Sequence, residues 1–173
     1  MADDAPGVEA WKENTTAFDR VRSIATIVDR PRSASYIAGE ACVAENTARD
    51  HLNRLVEMYV LLKTDDEGTT LYAPDPLHVR MKTLRDLLED HDQDGLIQLK
   101  AGMQEQIEEW KQDFDVESSD ELRKHAGETK TASETRNLLR TASDWDLSRY
   151  RLSIVEDAIE NYEDYRRDYR GDA

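Results

Sequence analysis

Residues 42–63, CVAENTARDHLNRLVEMYVLLK, change hydrophobic period within 22 positions. Ala48, Leu52, Leu55 and Val56 recur at i, i+4, i+7 and i+8, the single buried stripe of an amphipathic helix. That pattern predicts a helix from Glu45 to about Met58, with Glu45, Asn46, Arg49, Asn53 and Arg54 on or near the opposite face. Val60 to Thr64 then reads as a strand, Asp65-Asp66-Glu67-Gly68 as a turn, and Thr69 to Ala73 as a returning strand that Pro74 closes.

Reading outward toward the N-terminus, Cys42-Val43-Ala44 is a turn, and Ser33 is placed to cap a short helix over Ala34–Ala41. Before it, Asn14, Thr15 and Thr16 are capping candidates for a helix whose apolar positions are Phe18, Val21, Ala25 and Val28 and which ends at Arg30-Pro31-Arg32. Helix, short helix, turn, helix and hairpin is the order of a winged helix-turn-helix. From Asp75 onward the pattern is helical. Leu77, Met81, Leu84 and Leu88 form one stripe, and Leu96, Leu99, Met103, Ile107, Trp110 and Phe114 form a longer one. Ser118 with Glu121 makes a capping box for a short helix ending near Gly127. A weak helix over Thr131–Ala142 precedes a last one, about Asp146 to Tyr169, striped by Leu147, Tyr150, Ile154, Ala158, Tyr162, Tyr165 and Tyr169. The expected fold is therefore mainly α with a small β-hairpin. Residues 1–13 are a flexible N-terminus, 14–76 a winged helix-turn-helix, and 77–173 a helical dimerisation or regulatory region.

Residues 42–63 also resemble the turn, recognition helix and first wing strand of ArsR-like and MarR-like winged helix regulators. The match lies in Val43, Thr47, His51, Leu52 and Leu55, with Val60 to Lys63 as the strand. With Arg32-Ser33-Ala34-Ser35-Tyr36-Ile37-Ala38 and the Tyr72-Ala73-Pro74-Asp75-Pro76 exit, the chain is similar to haloarchaeal regulators that join such a domain to an acidic helical C-terminus. The resemblance implies a transcription regulator that binds double-stranded DNA as a homodimer. Four features depart from it: Ala44 replaces the usual capping Ser, Tyr59 the usual Gly, Asp50 sits where a base is common, and the wing tip Asp65-Asp66-Glu67 is acidic.

On such a helix Arg49 suits guanine O6 and N7, while Asn46 or Asn53 suits adenine N6 and N7; Thr47 shares the segment. Arg32, Arg54, Lys63, Ser33 and Ser35 are placed for phosphates. The net charge of −15 opposes a nucleic-acid ligand only as a sum. There are 21 Asp and 17 Glu against 16 Arg and 7 Lys, a balance that resembles proteins adapted to molar salt. Residues 14–74 hold 7 bases and 9 acids, so the DNA-binding candidate is the near-neutral segment. The rival reading is a winged-helix adaptor that docks proteins and does not bind DNA specifically.

Other functions lack a signal. The single cysteine, Cys42, makes neither a disulfide nor a thiolate cluster. His51, His78, His91 and His125 have no metal spacing, and no nucleophile has a nearby base, so neither an enzyme nor a cofactor is expected. Asp90 to Ile97 matches half an EF-hand loop, yet its twelfth position is Ala101, and the run reads better as a polar turn with Asp92 or Asp94 capping the next helix. Without an apolar run of membrane length or an apolar leader, the sequence reads as cytoplasmic.

Overall fold

The computed structural model describes residues 6–167. It is mainly helical with one small antiparallel sheet, and the chain divides into two compact units between Met81 and Lys82.

The first unit begins with α1 (Pro6–Asn14), a helix where the sequence reading has a flexible N-terminus. Its end is tied to the rest by Arg20, which is buried with no carboxylate partner among the described residues. Its Nε donates to the Ala41 carbonyl at 3.0 Å and its Nη1 to the Thr15 carbonyl at 2.8 Å. Carbonyls satisfy the guanidinium, so its burial does not strand a charge. In α2 (Ala17–Ala25) Thr16 and Asp19 cap one another: the Thr16 hydroxyl accepts from the Asp19 amide and the Asp19 carboxylate from the Thr16 amide. This helix stops at Ala25, short of the Val28 expected from its spacing.

A two-residue strand that the sequence did not reveal, β1 (Arg32–Ser33), comes next. Then follow α3 (Ala34–Glu40), α4 (Glu45–Glu57), β2 (Leu61–Asp66) and β3 (Thr69–Pro74). The sheet order is β1-β3-β2, all antiparallel, with Arg32 opposite Tyr72 and Lys63 opposite Tyr72 on its other side. Glu67 and Gly68 both have positive φ, 49° and 82°, as a two-residue hairpin turn of this twist requires. Ser33 caps α3 by accepting from the Tyr36 amide. Ala44 stands at the N-cap of α4, where no side chain caps it.

Both ends of the α3–α4 pair close by left-handed residues that are not glycine. Cys42 (φ 53°) and Tyr59 (φ 58°) each allow the residue after them to bond back to the last turn, Val43 to Ala38 and Val60 to Leu55. Ala48, Leu52 and Leu55 are fully buried against Val21, Ala25, Ile37, Leu61 and Tyr72, so the stripe of α4 forms the centre of this core. Beyond Leu61, β2 is exposed along its length.

The second unit takes the C-terminal part of α5 (Pro76–Asp90), then α6 (Gln93–Phe114), α7 (Ser119–Glu128), α8 (Ala132–Glu160) and the single turn α9 (Tyr162–Tyr165). Asp92 caps α6, its carboxylate accepting from the Gly95 amide at 2.8 Å, which gives the EF-hand-like run a structural role. Ser118 caps α7, but Glu121 reaches the Glu117 amide instead of the Ser118 amide.

In α5 only Leu84 of the expected stripe is fully buried and Leu88 is half-buried, while Leu77 and Met81 are exposed. The two C-terminal helices expected over 131–142 and 146–169 are one continuous α8, because nothing in Ser143-Asp144-Trp145-Asp146 breaks a helix. The stripe expected over 146–169 holds only in part: Ile154 and Ala158 are buried and Tyr162 packs against the same core, while Leu147 and Tyr150 are exposed, as is Tyr165 beyond α8. Tyr169 lies outside the described residues. The cause is geometric. The first half of α8 packs Ala142 and Trp145 against Val116 and Leu122, and the second half packs Ile154, Val155 and Ala158 against Leu84 and Leu96. Ile154 is nine residues after Trp145, two and a half turns, so the two cores meet opposite sides of one helix. No helix among the described residues is long and apolar enough to cross a membrane.

Candidate nucleic-acid interface

Packing Ala48, Leu52 and Leu55 inward fixes what α4 presents outward: Asn46, Arg49, Asp50, Arg54 and Glu57 are exposed. Thr47 and Asn53 are half-buried at the edges of that face. The first turn of α4, the start of α3 and the hairpin enclose a cleft of about 370 Å³ lined by Ser33, Ser35, Glu45, Arg49, Thr70 and Tyr72, among others. The structure thus brings together Ser33, Ser35 and Arg49.

The remaining expected residues do not converge on that cleft. Arg32 lines a neighbouring cleft with Tyr36, Asp66 and Glu67. Its guanidinium lies 4.3 Å from the Tyr36 ring centre and 3.5 Å from the Asp29 carboxylate, and its Nε is buried without a hydrogen-bond partner. Arg54 stands 5.3 Å over the Phe18 ring, and Lys63 is exposed on β2. Asn46 is exposed at the start of α4 outside both clefts. Two roles change. Asn53 accepts from the Tyr72 hydroxyl at 3.1 Å, so it braces α4 against β3 and its carbonyl is already engaged. The Ser33 oxygen is occupied in capping α3 and retains only its hydroxyl proton for an incoming anion.

Sequence reasoning missed Tyr72 and Thr70, which line the cleft from β3. Their two-residue spacing places both on one strand face, the signal that was available. Burial raises the pKa of the Tyr72 phenol, with the Arg49 charge opposing that shift, so the phenol stays a protonated donor to Asn53.

Acids stand among the cations of this face. The Glu45 carboxylate accepts from Arg49 Nη2 at 2.5 Å, Asp50 is exposed one residue further on, and the hairpin tip carries Asp65, Asp66 and Glu67. An exposed i,i+4 pair of this kind is worth only about 0.3–0.5 kcal/mol, less than the ~1–3 kcal/mol of a good bidentate base contact, so Glu45 orients Arg49 without withholding it. Among the described residues no group of three His, Cys, Asp or Glu side chains is placed to hold a metal ion.

No curated protein and no solved structure matches the chain. A family model described as a family of unknown function, DUF7342, matches residues 15–164, which takes in both compact units. The chain therefore belongs to this family of unknown function.

Proposed function

We propose that the chain is a sequence-specific DNA-binding regulator whose first unit is a winged helix-turn-helix with α4 as recognition helix and β2–β3 as wing. The observation that carries this reading is the exposed start of α4, with Asn46 and Arg49 free of the core, beside a hairpin and the serine-bearing start of α3. In the major groove Arg49 reads guanine and Asn46 adenine, while Arg32, Arg54, Lys63 and Ser35 serve the backbone. Two copies pair through the second unit, where Leu139, Leu147 and Tyr150 remain exposed on α8. Ile154 and the apolar side of α6 are already used in the chain's own core and are not available for that purpose.

A second reading, a protein-docking adaptor, is favoured by Asp50 on the outer face of α4 and the three acids of the hairpin tip. One experiment separates the two. Double-stranded DNA selected from a random pool in molar KCl should yield a two-fold symmetric site with half-sites about 10 base pairs apart or a multiple of that. Arg49→Ala should then cost about 1–3 kcal/mol on that site and relax one base position, while Lys63→Ala weakens all sequences about equally. Equal affinity of the unaltered chain for selected and scrambled DNA across a KCl series would leave the adaptor reading in its place.

A further inference from the structure

The second unit contains a cleft to which the DNA reading gives no role. It measures about 340 Å³ and runs between Ile107 and Lys111 of α6 and Trp145, Arg149 and Leu152 of α8, with Glu117 from the turn after α6 at one end. Four-residue steps on α6 and steps of four and three on α8 align these side chains along a groove between the two helices. The floor is apolar. Trp145 is 1% exposed and is backed by Trp110, whose ring lies 6.0 Å away, while Ile107 and Leu152 form the walls.

The mouth carries two cations. Lys111 is held loosely, its Nζ 3.6 Å from Glu117 and 3.8 Å from Glu108, both beyond hydrogen-bond distance. Arg149 has no hydrogen bond and no ion pair within 4.0 Å among the described residues; Asp146 feels its charge only at longer range. Arg149 is exposed and, together with Lys111, places positive charge at the edge of this apolar cleft.

We propose that this cleft binds a small apolar carboxylate, with its hydrocarbon body over Trp145 between Ile107 and Leu152 and its head group on Arg149. The planar guanidinium offers two parallel donors to a carboxylate. Lys111 adds a second positive charge that offsets the Glu117 carboxylate lining the same end of the cleft. The volume falls within the range of small-ligand pockets, about 300–1,000 Å³, and suits a body of roughly ten non-hydrogen atoms. The site stands whether or not the first unit binds DNA.

Octanoate is the probe, with 1-octanol and octylamine as partners of equal chain length and different head group. In the full chain carrying Trp11→Phe, only Trp110 and Trp145 emit; Trp145 lines the cleft and Trp110 lies against it. Octanoate should change that emission saturably, at a midpoint at least about tenfold below those of the alcohol and the amine. Arg149→Gln should raise the octanoate midpoint about tenfold and leave that of octanol unchanged, while Leu152→Phe, which narrows the groove, should weaken both. Lys111→Gln provides a second charge variant should Arg149→Gln alter the circular dichroism, and it should raise the octanoate midpoint by a smaller factor. No saturable change up to about 10 mM, equal midpoints for octanoate and octanol, or an octanoate midpoint unmoved by both charge variants would overturn the proposal.

Discussion

Replacing Ala44 by serine should stabilise the first unit by about 1 kcal/mol. The backbone at Ala44, φ −67° and ψ 146°, is close to that at Ser33 (−72°, 159°) and Thr16 (−76°, 160°), and both of those side chains accept from the amide three residues on. A serine hydroxyl at position 44 therefore meets the Thr47 amide without backbone adjustment. Ala44 is exposed, so the added oxygen is not buried, and no packing is lost. Side-chain caps contribute roughly 0.5–2 kcal/mol, and the absence of strain or burial here places the expectation near the middle of that range. Because the chain has two compact units, a single melting temperature can mix two transitions, so the measurement should be local. Amide hydrogen exchange meets that need. The slowest amides of α4, at Leu52 and Leu55 in the core, report opening of the whole unit and should slow about fivefold, as 1 kcal/mol requires. Thr47 should slow as well, since its amide gains a direct partner. Ser33→Ala gives the matching loss. Unchanged exchange at Thr47, Leu52 and Leu55 in Ala44→Ser would refute the view that α4 begins in cap-ready geometry.

Tyr59→Gly should also stabilise this unit, by about 1 kcal/mol, because a left-handed residue other than glycine is strained and the Tyr59 side chain is 78% exposed; a lower urea midpoint would contradict this. In the second unit Asp146 accepts hydrogen bonds from Ser119 and Arg123, which hold its pKa below the ordinary 3.8. The charged form is therefore the one the fold favours, so its contribution is full above pH 3.8 and is lost as pH falls through the lowered value. Asp146→Asn should be less stable than the unaltered chain at neutral pH, with the difference in urea midpoint closing as the pH is taken below 3.8; a constant difference would count against the assignment.

What is written locally was legible in the sequence. Ser33, Asp92 and Ser118 cap the helices they precede, the turn signal over 65–68 is met at Glu67-Gly68 while Asp65 and Asp66 extend β2, and the 48, 52, 55 spacing identifies the buried side of α4, each because the deciding contact lies within a few residues. The departure at Tyr59 marked a position whose backbone does take the conformation that favours glycine. Tertiary structure decided the rest. Strand β1 exists because β3 offers it a ladder about 40 residues away, and two residues carry no period of their own. Arg49 met Ser33 and Ser35 at one cleft, and Asn53 was drawn to Tyr72, only when the hairpin folded back beside α4. On α8 the periodicity suggested one stripe, but a helix lying between two cores has no single inner side. Which residues it buries follows from the neighbours at each level, and Trp145 and Ile154 face opposite ways for that reason.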